Sequence, residues 1–267
     1  MIVAGAFLLT GLLLVNISAP ARAADAGAGA ASFWVELIEG RMVAGKAAFE
    51  ATLVTPYGEL KIPARAVGLI TWDHEKDIAT VEGEDFLGKG KFSLKELRLE
   101  TVGGAEQIPT SKIRRLQRTY PSSLGANWND LLAGLNLKGW EGPAVPPDAD
   151  GVVHMTTPVN TWGAEYEGKL PPRHELSMEV KFARGARTDI HVARGQGTAY
   201  VRVSDAAKDR AGEWVRVRFV SDGELKAYVN DEEVELRFWG EQGNPTIALS
   251  SDFAEAQIRN VAVRFIE

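Results

Sequence analysis

The sequence predicts an all-β protein: a duplicated module of short, curled strands followed by an antiparallel β-sandwich. Three observations carry this. Apolar and polar residues alternate with period two through much of the chain, as in Trp214–Val220 (WVRVRFV). Gly, Pro, Asn and Asp punctuate these runs at short intervals. A block of the first half recurs, in order, further along, and neither copy contains a helical pattern.

The chain has 267 residues, 45% hydrophobic and 25% charged, a globular composition. That length favours two domains, each large enough for a core. The net charge is −6 with no basic block, which argues against nucleic acid or an anionic membrane surface as partner. Cysteine is absent, so disulfides, thiolate nucleophiles and Cys-ligated zinc are excluded. Residues 1–23 read as a secretory signal peptide: an apolar run with the core Phe7–Val15, then Pro20, then Ala21-Arg22-Ala23 as the cleavage site. No Lys or Arg precedes the run, and an uncleaved N-terminal anchor is the alternative. The expected location is extracytoplasmic, periplasmic or secreted, with no membrane span after cleavage. Residues 24–32 form a Gly/Ala-rich flexible leader.

Residues 33–118 hold the repeat, with copies at 35–70 and 78–116. Glu39-Gly40 matches Glu82-Gly83, Gly45 matches Gly88, Thr55 matches Thr101, Gly58 matches Gly104, and Ile62-Pro63 matches Ile108-Pro109. The offset grows midway, implying a short insertion in the second copy. Ala51–Val54 and Glu96–Leu99 read as half-buried strands. Each copy alone is too small for a large core, so the two should pack together or form two small barrels. The order of acidic-Gly turn, strand, Gly-kinked strand and closing apolar strand resembles Sm-like small β-barrels. A structural or interaction role is the plain reading of this module. Residues 119–127 (TYPSSLGAN) form a linker.

From residue 128 to 267 short strands follow: Glu175–Phe182, Thr188–Val192, Ala199–Val203, Trp214–Val220, Glu224–Val229 and Gln257–Phe265. A hairpin over Glu224–Glu235 turns at Asn230-Asp231, residue types that tolerate left-handed backbone. The order of several motifs resembles the 3-keto-disaccharide hydrolase domain family. These are Asn129–Gly142 (NDLLAGLNLKGWEG), Asp150-Gly151-Val152-Val153, Glu175–Phe182, Gly185–Gly195, Val201–Asp205, Gly212-Glu213-Trp214 and Ile258–Val263. The resemblance implies a concanavalin A-like (LamG-like) jelly-roll sandwich with a concave face, associated with hydrolysis of 3-keto glycosides. The sequence departs from the family where chemistry would sit. Tyr200 and Arg202 replace a glutamate and a glutamine, the insertion after Asp205 is missing, and Ser250–Phe253 replaces a polar cluster.

Candidate chemistry follows from residue types. Asp189 and His191, two apart on a strand, face the same way. With Arg194 beyond and Arg202 on the next strand they could line a polar patch; a cross-strand charge pair is the plainer reading. Asp189, His191 and Asp205 are the catalytic candidates. Arg194, Arg202, Tyr200, Trp162 and Trp239 are the ligand-binding candidates, the last two as loop indoles offering apolar planes to a sugar. Trp140 and Trp214 read as core. Glu165-Tyr166-Glu167 has strand spacing but reads as loop. No His pair has metal-ligand spacing, and Asp148-x-Asp150-Gly151 reads as a turn rather than a calcium loop. No metal or cofactor is expected. The reading is an exported, carbohydrate-associated sandwich that binds glycan with little or no catalysis, its partner a carbohydrate or cell-envelope glycan, with protein also open. The alternatives are a 3-keto-disaccharide hydrolase and a structural envelope module.

Overall fold

The structure is a computed structural model. It describes residues 30–142, 147–155, 163–194, 197–239, 246–252 and 254–266. The signal-peptide segment 1–23, most of the leader and Trp162 lie outside the described residues.

The chain is all-β. Ten strands build the N-terminal module: β1 (Ala31–Leu37), β2 (Met42–Ala47), β3 (Glu50–Thr55), β4 (Gly58–Pro63), β5 (Val67–Asp73), β6 (Ile78–Gly83), β7 (Leu87–Phe92), β8 (Glu96–Thr101), β9 (Gly104–Pro109) and β10 (Ile113–Arg118). They form one continuous sheet in the order β4-β3-β7-β6-β5-β10-β1-β2-β8-β9. This order is a palindrome about the β5–β10 pair. Each copy lends its third strand to the other: β3 pairs with β7, and β2 with β8. The copies therefore share one sheet rather than forming two separate barrels.

Equivalent residues do equivalent jobs. The Thr55 hydroxyl donates to the Gly58 carbonyl at 3.0 Å and accepts from the Tyr57 amide. The Thr101 hydroxyl donates to the Gly104 carbonyl at 2.7 Å and accepts from the Gly103 amide. Leu53 and Leu99, and Ile62 and Ile108, are buried in one core. The strand register refines the sequence match. Val35 faces Leu116 as Val81 faces Ile70, which sets Glu36, not Glu39, against Glu82. Lys46 faces Glu100 as Lys91 faces Val54, which sets Gly45 against Gly90 rather than Gly88. The cause is steric. A Cβ on Gly45 would lie 2.6 Å from the Glu100 carbonyl oxygen, and one on Gly90 would overlap the Val54 carbonyl. Both glycines let a strand of one copy cross closely over the other.

Fourteen strands follow: β11 (Pro121–Ser122), β12 (Gly125–Asp130), β13 (Trp140–Glu141), β14 (Val153–Met155), β15 (Ala164–Tyr166), β16 (His174–Phe182), β17 (Arg187–Arg194), β18 (Gly197–Arg202), β19 (Val215–Asp222), β20 (Glu224–Val229), β21 (Glu232–Val234), β22 (Arg237–Trp239), β23 (Ile247–Asp252) and β24 (Ala256–Phe265). One sheet runs β11-β12-β24-β16-β19-β20-β21, with β14 also on β24; the other runs β13-β15-β23-β17-β18-β22. Leu176, Met178, Val180, Val217 and Phe219 of the first share a core with Ile190, Val192, Val201, Ile247 and Leu249 of the second. The alternation that sends these residues inward leaves their neighbours on the outer faces. The predicted hairpin turn is present: Asn230 and Asp231 have φ of 49° and 68°, and β20 pairs with β21 across it. After β18 the chain makes a short helical turn, Val203–Ala206, where a strand was expected through Val203.

The module and the sandwich touch through the module's outward face. Trp34 joins the sandwich core and meets Phe265 edge-on at 6.0 Å. Gly68 on β5 lies directly under Leu135, leaving no room for a Cβ. Among the described residues no helix is long and apolar enough to cross a membrane.

Gly90→Ala is expected to destabilise the protein by roughly 1–3 kcal/mol, because the methyl group meets backbone rather than a movable side chain. Gly103→Ala, whose Cβ would meet only Thr101 Oγ1 at an ordinary 3.8 Å, should stay within about 0.5 kcal/mol of the parent. Urea unfolding midpoints of the two variants check this.

Candidate functional site

Asp189, His191, Tyr200 and Arg202, four of the residues singled out by sequence, meet on the outer face of the six-stranded sheet. Register places Asp189 opposite Arg202 on one side and Ser250 on the other; His191 lies opposite Tyr200 and Ala248. Tyr200 in turn faces Arg237. Directly opposed residues share a face, so period two brings all of these side chains together.

Asp189 is buried and tightly held. Arg202 Nε donates to its Oδ1 at 2.9 Å and Nη2 to its Oδ2 at 3.2 Å, a two-pronged contact. Arg187 Nε adds a third donor to Oδ2 at 3.2 Å. The Asp189 side chain is only 4% exposed and Arg202 19%. That hydrogen bond, the largest influence on the guanidinium, raises the Arg202 pKa. The network then reaches solvent. Arg202 approaches Asp205 at 3.9 Å, Arg237 reaches Asp205 at 3.2 Å, and Arg187 lies 3.7 Å from Asp252. Asp205 sits in the short helical turn and is exposed.

His191 is buried and stacks on Tyr200, ring centres 4.8 Å apart and planes 18° from parallel. Burial, with help from the Arg187 and Arg202 charges, lowers its pKa to about 4 against the pull of Asp189. The imidazole is neutral at neutral pH. Arg194 ends β17 and Trp239 ends β22; nothing more of these two side chains is described.

Three acidic residues not predicted to join this face do so: Glu165, Glu141 and Asp252. Glu165 lies in β15, not in a loop, between Glu141 of β13 and Ala248 of β23. It therefore shares the face of His191. Burial, then the Glu141 and Glu167 charges, raise its pKa. The signal was its alternation with the buried Ala164 and Tyr166, masked by flanking Gly and Pro.

Other candidates resolve locally. Asp148 Oδ1 accepts from the Asp150 and Val152 amides, both at 2.9 Å, and its Oδ2 meets His154. That is an Asx turn braced by a histidine. Among the described residues no cluster of three His, Asp or Glu is placed to hold a metal ion. Trp140 is buried and donates to the Leu131 carbonyl. Trp214 differs from its core expectation: it is half-buried on the outer face under Arg259, whose guanidinium lies 4.1 Å from the ring centre.

A cleft of about 880 Å³ separates the module from the sandwich. Glu82 and Gln117 line it from the module, and Tyr166, His174 and Ala193 from the sandwich. Ala193 lies two residues beyond His191 on the same face of β17, so the cleft opens at one end of the polar row.

No family model matches the chain, and no curated protein matches it in sequence. Solved structures similar to it include a Parabacteroides distasonis protein described as a "putative glycosyl hydrolase", at 13% identity over 53% of this chain and 100% of that one, TM-score 0.36. A second protein of that organism, described in the same words, has 12% identity over 53% of this chain and 89% of its own, TM-score 0.32. A mutant of the GH43 protein BlXynB from Bacillus licheniformis has 10% identity over 84% of this chain and 60% of that one, TM-score 0.29.

The buried histidine makes stability depend on pH. The unfolded imidazole takes up a proton near 6.5 and the folded one only near 4. Between these values the unfolded state binds more protons, so stability is full above about pH 6.5 and falls as pH drops towards 4. His174, also lowered mainly by burial, acts in the same direction. Relative to wild type, His191→Phe should remove roughly 2–3 kcal/mol of that acid loss. Urea unfolding at about pH 7 and about pH 4.5 reads it.

Proposed function

We propose that this chain is an exported carbohydrate-binding protein without strong catalysis, its sugar platform the polar row on the outer face of the six-stranded sheet. The observation that carries the reading is the clamp on Asp189. A general acid or base must exchange a proton with substrate near the working pH. Asp189 has both oxygens engaged by guanidiniums, and His191 is neutral and covered by Tyr200. What the row offers instead is donors and acceptors at its rim, Arg187, Arg237 and Asp205, beside a phenol ring. Such groups suit sugar hydroxyls. The resemblance of the sandwich motifs to 3-keto-disaccharide hydrolase domains supports carbohydrate as the ligand class, and the apolar N-terminal run supports export.

A second reading is hydrolysis of a 3-keto glycoside. Glu165 favours it: a carboxyl with a raised pKa on the same face, beside Glu141. Two carboxyls of this kind are what glycoside cleavage uses.

Arg237→Ala is the cleaner binding test, since Arg202→Ala would strand the buried Asp189 charge and unsettle the fold. The variant is expected to weaken binding to the best ligand of an oligosaccharide panel about tenfold, the loss of one charged hydrogen bond. Its thermal unfolding should match wild type. Isothermal titration measures the first and calorimetry the second. Wild type should release no 3-keto-glucose from a 3-keto-glucoside. Release that is lost in Glu165→Gln would decide for the hydrolase.

A further inference from the structure

The N-terminal module has a pseudo-twofold sheet whose outward centre faces the sandwich, and its two halves are not chemically alike. Across β1 and β10, Glu36 faces Arg115 and pairs with it at 3.2 Å. At the equivalent place across β6 and β5, Glu82 faces Leu69. The arginine of one copy is a leucine in the other. Glu82 is half-buried, lines the cleft, and has no ion pair or side-chain hydrogen bond among the described residues.

The opposite wall carries a matching anomaly. His174 is 7% exposed and lines the same cleft. Its Nδ1 lies 2.7 Å from the Pro171 carbonyl. A carbonyl can only accept, so Nδ1 carries the proton and Nε2 is a bare acceptor. That Nε2 is buried with no hydrogen-bond partner. A buried acceptor left unmade is unusual and asks for an explanation. Gln117, on the module's floor, also lines the cleft and carries both a donor and an acceptor.

We infer that this cleft is the deep end of the saccharide site, where one sugar of the bound glycan lies between the two modules. Glu82 and the His174 Nε2 accept hydroxyl hydrogens from it. Leu69, Leu170 and Pro171 give the apolar walls that sugar rings rest on. The volume of about 880 Å³ is ample for a sugar unit and lies in the range of small-ligand sites. Ala193 joins the cleft to the polar row, so a single glycan chain runs from the sheet face into the gap. The repeat module is then part of the binding site and not only a support. This inference rests on the carbohydrate reading above.

The test uses the full chain and a titration panel of cellotetraose, xylotetraose, laminaritetraose and chitotetraose. Glu82→Gln and His174→Phe are measured beside Arg237→Ala, with thermal unfolding of each. The expected result is a loss of affinity of at least about tenfold in both cleft variants, with unfolding midpoints near wild type. Should His174→Phe fail to fold, Glu82→Gln together with Gln117→Ala serves, since both are half-buried cleft positions outside the core. Unchanged affinity in the cleft variants alongside a loss in Arg237→Ala overturns the cleft and leaves the carbohydrate reading standing. Failure of wild type to bind any of the four glycans overturns both.

Discussion

The pairing of β5 with β10 is the constraint on which the rest of the structure depends. Among the described residues it is the one junction at which like strands of the two copies meet, with Ile70 opposite Leu116. β1 and β6 hang from its two sides, and every outer strand of the module hangs from those. Its inward residues, Ile70, Ile113 and Leu116, lie at the centre of the module's core. Its outward residues, Leu69, Thr71, Arg115 and Gln117, floor the cleft. With Gly68 pressed under Leu135, the same pair sets how closely the sandwich can approach. Core, palindrome and cleft are therefore three consequences of one ladder.

Duplication supplies symmetry, and the useful chemistry comes from where symmetry is broken. Arg115 neutralises Glu36, whereas Leu69 leaves Glu82 exposed to the cleft. The sandwich face shows a comparable division: Asp189 is closed off by arginines at one end, while Glu165 has its pKa raised beside Glu141 at the other. In both places one carboxylate is spent on structure and one is left to act. The cost of burying Asp189 is offset by three donated hydrogen bonds.

Local patterns made much of the sandwich legible. The hairpin over Glu224–Glu235 could be read because turn chemistry at Asn230-Asp231 and flanking alternation act within a few residues. The common face of Asp189 and His191 follows from period two alone. The strand exchange between copies was hidden, because β3 with its alternating Ala51, Leu53 and exposed partners fits β7 as well as a neighbour of its own copy. Only the bare Gly45 and Gly90 betray the crossing, and sequence matching chose Gly88 instead. The clamp on Asp189 needs the register of β17 against β18, which no local signal fixes. The cleft draws Glu82, Gln117 and His174 from three distant segments, each of them ordinary by itself.

Burial decides what kind of work this face can do. An imidazole that stays neutral down to about pH 4 is a feeble base at neutral pH. The Asp189 carboxylate has both oxygens taken up by guanidinium donors. Each step away from that arrangement breaks charged hydrogen bonds worth about 1.5–3 kcal/mol apiece. The same rigidity that hinders proton transfer favours binding, because groups already held in place lose little entropy when a ligand arrives. On the carbohydrate reading proposed above, a sugar would meet a row whose buried part, Asp189 and His191, was ordered during folding.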